Sequence, residues 1–430
     1  ILTPHFPVSQ SGRAAVFRLS LTSPESGDQT AEDTIDRWCA INGMEKLRSC
    51  YRDVAEILLS KLETRDLLQM KCVSKSWREL ISDRSFVLNY SRQWQHPPLS
   101  GFFFLKKSWR AVNYYYDASY ISGAREEAAK LLKSPLDFIP EDFMVTSSCN
   151  GLVCCTNFSL SNSILTLHVG NPLTREWIEL DWDGRRGRPI VMALSSDPSR
   201  DITEDSTDFK VATVCVRIDK ESLAFHIYSS KTRCWKVADS GEVCIMKKKY
   251  NMFHTEYVSV KGVMYWLIDA DEILVFDVEN ELAHRVSTPE CQFQCGEPDA
   301  CIGESGGELH YVLLSEGRLQ IWVLEDPCEG KWSSLRYEKS LADIDNVHPE
   351  LALNLQFEMT IPLAFKDGVF LLRVSDDVYL YDTRNDGMKH VAHAAEFGTG
   401  SMLDPMVWIW NGNVSYKELH FGRMKRAKGF

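Results

Sequence analysis

Along residues 53–81 the apolar positions recur at the helical period. Val54, Ile57, Leu58 and Leu62 stand three or four apart, and Leu67, Leu68, Met70, Val73, Trp77, Leu80 and Ile81 continue the spacing. Two or three short amphipathic helices are therefore predicted. Thr64, just ahead of Arg-Asp-Leu, can accept a backbone N–H and start one of them. After Pro97-Pro98 the texture changes. Gly123–Lys133, rich in Ala, Glu, Lys and Leu, predicts one isolated helix. From Val145 onward, short β-branched and aromatic runs separated by Gly, Asn, Asp and Pro predict strands.

Two patterns repeat among these runs. The first is a tight-turn pair, with its Gly at 151, 262, 307, 368 and 412, set between apolar segments. Such a pair supplies the positive φ angles of a hairpin. The second is a strand, a polar turn and then Trp or another apolar residue, as in Leu167–Trp177, Phe225–Trp235 and Ile321–Trp332. The last three glycine separations are 45, 61 and 44 residues, whereas Gly151 and Gly262 are 111 apart. One unit has thus lost its Gly hairpin, and the segment from Asp208 fills that gap. Two hairpins per period of roughly 50 residues is the mark of four-stranded propeller blades. Six units are predicted. The last, from Met406 to Leu419, runs out before its second hairpin, while Gly101–Leu105 is an apolar strand without a local partner. The early strand is expected to complete the last unit and close the ring.

The fold class expected is thus α+β multidomain, with short helices followed by an all-β propeller of six blades. The expected domains are a disordered polar leader over 1–43, a helical domain over 44–95, the propeller over 96–420 and a solvated basic tail over 421–430. The 430 residues include 48 Lys+Arg against 60 Asp+Glu, a formal charge of −12. That acidic balance argues against nucleic acid or an anionic membrane as the main partner. No apolar run is long enough to span a bilayer. Residues 1–36 hold no basic segment followed by an apolar stretch, so no secretory signal is expected. The 13 cysteines form no CxxC pair, which favours reduced thiols and a cytoplasmic or nuclear location.

Residues 50–87 align without gaps to the plant form of the F-box and resemble it closely. The matching positions include Asp53, Val54, Leu58, Leu59, Leu62, Leu67, Leu68, Asp83 and Phe86, with Lys71-Cys72-Val73 and Lys75-Ser76-Trp77-Arg78 as the most specific part. Further on, Ser148–Cys154, Asn171–Trp177, Asp208–Val211, Val260–Trp266, Phe276–Glu281 and Ile321–Val323 resemble the kelch-like F-box-associated domain of plant F-box proteins. Cys50-Tyr51 replaces the family's opening Leu-Pro, and Glu63 its second Pro. Loss of both is expected to loosen the helix starts.

The resemblance implies a non-catalytic substrate receptor of a Skp–cullin–F-box ubiquitin ligase. Val54, Leu58, Leu62, Leu67, Leu68, Cys72, Val73, Trp77 and Leu80 would face a Skp-type adaptor, and through it a cullin–RING ligase, while the propeller would hold a protein substrate. About half of these side chains are expected in the helices' own core. Independently of any family, some 40 residues of short helices cannot enclose their apolar surplus, so a partner must cover part of it. The acidic stretch Asp197–Asp208 offers Asp201, Glu204, Asp205 and Asp208 as a contact for a basic substrate patch, or simply a solvated excursion.

The alternatives are a propeller enzyme or carbohydrate-binding lectin with an incidental helical N-terminus, and an F-box protein that binds the adaptor without joining the full ligase. No cofactor or metal is expected. The histidines show no HExxH, His390 and His393 are not expected to converge on a metal, and there is no GxSxG, Walker A loop or GxGxxG at a strand-to-helix junction. Cys149, Cys154 and Cys155 read as inert buried thiols. Trp177, Trp235 and Trp332, at equivalent places in successive units, are expected to pack between blades rather than form a sugar platform.

Overall fold

The structure is a computed structural model describing residues 45–62, 64–93, 101–110, 113–122, 131–133, 143–157, 166–172, 175–182, 189–196, 208–217, 222–239, 257–269, 272–289, 299–351, 353, 355, 360–393, 406–410 and 425–426. The leader expected over 1–43 lies outside them. Contacts divide the chain between Leu58 and Leu59, inside its first helix.

Four helices come first: α1 (Glu45–Ser60), α2 (Thr64–Met70), α3 (Lys75–Ser82) and α4 (Arg84–Gln93). α1 runs straight through Cys50 and Tyr51. A Pro at 51 would break that helix by removing an N–H and clashing with the preceding turn. Its absence therefore extends the helix towards the N-terminus instead of loosening its start. Ser74 begins α3, its hydroxyl accepting the Trp77 N–H at 3.1 Å. The Asp83 carboxylate takes the Ser85 N–H at 2.9 Å where α4 begins. Phe86 and Tyr90, one helical turn apart, are buried and stacked, and the Tyr90 hydroxyl donates to the Leu62 carbonyl at 2.9 Å.

The rest is built from antiparallel meanders. The first strands are β1 (Gly101–Arg110), β2 (Asn113–Ser122) and β3 (Leu131–Lys133). The next unit is β4 (Phe143–Cys149), β5 (Leu152–Asn157), β6 (Leu167–Asn171) and β7 (Glu176–Leu180). Then come β8 (Pro189–Ser195), β9 (Lys210–Arg217), β10 (Ser222–Ser229) and β11 (Cys234–Val237). The unit after that is β12 (Tyr257–Val260), β13 (Val263–Asp269), β14 (Glu272–Asp277) and β15 (Leu282–Ser287). It is followed by β16 (Asp299–Ser305), β17 (Glu308–Ser315) and β18 (Arg318–Asp326), the last paired with both β19 (Lys331–Trp332) and β20 (Tyr337–Ser340). A short helix, α5 (Leu341–Val347), leads to β21 (Thr360–Lys366), β22 (Val369–Val374), β23 (Asp377–Asp382) and β24 (Gly387–His393), and the chain continues to β25 (Met406–Trp410) and β26 (Lys425–Arg426).

β25 pairs with β1, Gly101 opposite Trp410 and Leu105 opposite Met406. The sheet order β25-β1-β2-β3 therefore joins the two ends of the propeller. The early strand is not solitary, as the sequence suggested: it extends to Arg110 and forms a ten-residue hairpin ladder with β2. Nor is Gly123–Lys133 helical at its end, because Leu131–Lys133 is β3, paired with β2. Cross-strand hydrogen bonding here overrides the local preference of Ala, Glu and Lys for helix. Around the axis β4 lies beside β8, β8 beside β12, β12 beside β16 and β16 beside β21, and β25 lies beside both β21 and β4. These neighbours run round in a closed circuit, and within it β16 and β21 are hydrogen-bonded to each other.

The turn chemistry explains the sequence periodicity. Asn150-Gly151, Lys261-Gly262, Gly306-Gly307 and Asp367-Gly368 all have paired positive φ angles, the twist that matches two-residue hairpins between first and second strands. The hairpins that follow β14 and β23 use Asp instead. The Asp277 carboxylate accepts the N–H groups of Glu279 and Asn280, and Asp382 accepts that of Arg384. In the unit without a Gly hairpin, the acidic segment connects β8 to β9.

Apolar clusters fill the spaces between neighbouring meanders. Phe225 on β10 stacks on Phe276 of β14, with ring centroids 4.6 Å apart. Trp235 lies edge-on to Trp182 at 4.8 Å, against the cluster shared by β4–β7 and β8–β11. Trp332 packs between β12–β15 and β16–β19 and donates its indole N–H to the Ser287 carbonyl at 2.8 Å. Trp177, expected between blades, is instead buried against His168 of the neighbouring strand in its own meander.

Candidate functional site

The helices of the first segment carry apolar residues on opposite faces. In α1, Ala55 and Leu59, one turn apart, are buried, whereas Val54, Ile57 and Leu58 are 50%, 61% and 65% exposed. The spacing i, i+3, i+4 puts those three on one strip. In the turn between α2 and α3, Val73 is 62% exposed and Cys72 is exposed beside it. Exposed aliphatic side chains of this kind are the usual material of a docking surface.

Of the side chains expected to face an adaptor, Val54, Leu58, Cys72 and Val73 are exposed, and Leu62 and Trp77 are half-buried. Leu67 and Leu80 are 0% and 8% exposed. Those two belong to the helices' own interior and must be removed from the docking set: inward and outward leucines share one periodicity. The Leu68 side chain lies outside the described residues. Ile57, on the same exposed strip, was not among the expected residues, although its spacing from Val54 is visible in the sequence. On α1, Arg52 pairs with Glu56 at 3.2 Å; on α3, Arg78 Nε donates to the Lys71 carbonyl in the preceding turn at 3.2 Å.

On the propeller, Asp201, Glu204 and Asp205 lie outside the described residues. Asp208 lies two residues before β9, where its carboxylate meets Lys231 at 2.9 Å and its side chain is 10% exposed.

The inner ring is held by backbone-directed polar contacts. Tyr257 on β12 directs its hydroxyl to the carbonyls of Ser148 and Leu194, at 2.7 and 2.9 Å, linking β12 to β4 and β8. Burial pushes the Tyr257 hydroxyl pKa well up. Burial also pushes the thiols of Cys154 and Cys215 up to about 11 and about 12, which leaves them protonated and poor nucleophiles at neutral pH. All the described cysteines are free thiols. His390 and His393 do turn to one side, because a bulge in β24 interrupts the alternation. Both imidazoles then meet Asp377 Oδ1, at 3.0 and 3.3 Å. Among the described residues no group of three or more His, Cys, Asp or Glu is arranged to hold a metal ion, and no helix is long and apolar enough to cross a membrane.

Comparison with known proteins matches these two parts to two families. Residues 52–89 match the F-box domain. Residues 108–365, more than half of the chain, match the model "F-box protein At3g26010-like, beta-propeller". The chain is similar to F-box protein At5g49610 of Arabidopsis thaliana, with 25% identity over 65% of this chain and 74% of that one. It is also similar to F-box/kelch-repeat protein At3g23880 of the same plant, with 22% identity over 77% of this chain and 90% of the other. Among solved structures, the β-propeller domain of the trilobed protease from Pyrococcus furiosus superposes with a TM-score of 0.37 at 8% identity, covering 70% of this chain and 95% of that domain.

Proposed function

Because this chain belongs to the family of F-box proteins with an At3g26010-like β-propeller, we propose that it is the substrate-recognition subunit of a Skp–cullin–F-box ubiquitin ligase. The observation that carries the reading is the exposed strip Val54, Ile57 and Leu58 within the F-box match. A Skp-type adaptor covers that strip, and the propeller holds a protein client. The chain breaks and makes no bonds itself. It raises the effective concentration of client lysines near a ubiquitin-loaded enzyme borne by the cullin, so its contribution is positional. It works in the cytoplasm or the nucleus, where free thiols such as exposed Cys72, Cys234 and Cys328 stay reduced.

The test is co-purification with a recombinant Skp-type adaptor. Leu58→Asp together with Ile57→Asp should abolish the complex, because each Leu or Ile covered contributes about 1.5–3 kcal/mol. Wild-type affinity in that variant would remove the docking assignment. Ubiquitination reconstituted with the cullin separates a working receptor from one that only occupies the adaptor.

A further inference from the structure

Edges of β-sheets expose unpaired N–H and C=O groups, and proteins protect them with charge, most often Lys. The outer strands of this propeller follow that rule with one exception. β3 carries Lys133, β11 Lys236, β15 Arg285, β20 Lys339 and β24 Lys389. β7 carries Glu176 and Glu179 and no Lys or Arg, and Asp181 follows it. It is also extended by a strand from far along the chain. β26 pairs antiparallel with β7, Lys425 opposite Trp177 and Arg426 opposite Glu176, giving the order β26-β7-β6-β5-β4. The segment expected to be a solvated tail thus supplies a fifth strand, and it comes from the basic run Arg423-Met-Lys-Arg-Ala-Lys428.

Granted the client-holding role proposed above, we propose that the outer edge of β7 is a strand-addition site for an extended basic segment. Lys425–Arg426 occupies it in cis, and a basic segment of the client protein takes it in trans by displacing them. Two independent features agree on that occupant. The backbone edge accepts a strand in any sequence, because main-chain hydrogen bonds supply affinity. The exposed carboxylates Glu179 and Asp181 select a basic one, by attraction that works at encounter distance and weakens with salt. A two-residue ladder is a short tether, so it yields to a longer strand that pairs along all of β7.

The probe is a fluorescein-labelled peptide of residues 419–430, titrated by anisotropy into the full chain with and without a recombinant Skp-type adaptor. Three proteins are compared: wild type, Lys425→Glu with Arg426→Glu, and that pair combined with Glu179→Lys. Glu179 is exposed, so the last change leaves the interior alone, and equal melting temperatures check the fold. The peptide should bind the Lys425→Glu/Arg426→Glu protein at least tenfold more tightly than wild type, and Glu179→Lys should reverse most of the gain. N-methylation of the peptide at both its Lys425 and Arg426 equivalents should abolish binding. Equal affinity for all three proteins overturns the site, and an N-methylated peptide that binds normally overturns strand addition. Adaptor retention, measured on the same samples, reports separately on the receptor reading: a peptide that binds as expected to a protein without adaptor affinity would sink that reading and leave the edge standing.

Discussion

Lys366 at the end of β21 is ion-paired with Glu304 at the end of β16, and both side chains are nearly closed off from solvent. The two are also partners in a two-residue parallel ladder that joins their strands, Gly303 opposite Phe365 and Glu304 opposite Lys366. The Asp367 N–H donates to the Glu304 carbonyl at 3.2 Å, and the Gly307 N–H to the Glu304 carboxylate at 2.7 Å. Burial pulls the Lys366 pKa down, with Asp367 opposing the shift. Neighbouring meanders are here fused into one sheet, so the pair stands where two of them are directly hydrogen-bonded.

Removing one partner of that pair leaves the other charge buried. Lys366→Ala should cost about 3–5 kcal/mol, whereas Lys366→Met with Glu304→Gln should recover most of the loss. Urea midpoints of the single and double variants check this. Equal destabilisation by both would mean that packing, not charge, holds the joint.

Gly303 permits the close approach beside it. A Cβ there would lie 2.2 Å from the Phe365 carbonyl oxygen and 2.7 Å from its Cβ. Both are backbone or near-backbone atoms that cannot step aside. Gly303→Ala should therefore destabilise the propeller by roughly 3 kcal/mol or more, visible as a lowered melting temperature. An unchanged melting temperature would show that the β16–β21 contact is dispensable.

β1 is held on both sides, by β25 and by β2. A chain truncated to begin at Trp109 loses most of β1 and leaves β25 with an exposed edge, so it should aggregate or melt well below a chain beginning at His96. Coincident melting curves would rule out closure by that strand.

Leu67 and Leu58 should behave differently although both are leucines of the F-box match. Leu67 is fully buried and Leu58 is 65% exposed. Leu67→Ala should cost about 2–5 kcal/mol of stability by opening a cavity. Leu58→Ala should leave stability within about 0.5 kcal/mol while weakening adaptor affinity about tenfold. Circular dichroism and a titration with adaptor separate the two effects.

Asp386 should contribute to acid sensitivity. The Tyr381 hydroxyl donates to its carboxylate at 2.7 Å and Lys339 pairs with it at 3.0 Å, and these contacts hold its pKa below the usual carboxylate range, Tyr381 first. A lowered folded pKa means that the stabilisation is complete above the ordinary value of 3.8 and is lost as pH falls through the folded value. The site is partly open to solvent, so about 1 kcal/mol is expected. Asp386→Asn should lower stability at pH 7 by that amount and by less at pH 3. The same difference at both pH values would place the effect in packing.

The sequence by itself determined what depends on neighbours along the chain. Helical spacing marked the stretch 53–81, and the paired turn residues at Asn150-Gly151, Lys261-Gly262, Gly306-Gly307 and Asp367-Gly368 marked the hairpins, because positive φ is a local demand. It also marked Gly101–Leu105 as the missing partner of Met406–Trp410, since an apolar strand without a local mate must find a distant one. Only the tertiary structure decided matters settled by residues far apart. It sent Leu67 and Leu80 inward and left Val54, Ile57 and Leu58 outside, a choice that one shared period cannot make. It drew Leu131–Lys133 into β3 against its helical composition, brought His390 and His393 onto Asp377 through a bulge, and paired Lys425–Arg426 with the acidic edge of β7. Each of these is a contact between segments whose separation in sequence carries no periodic signal, so burial and cross-strand hydrogen bonding alone could fix it.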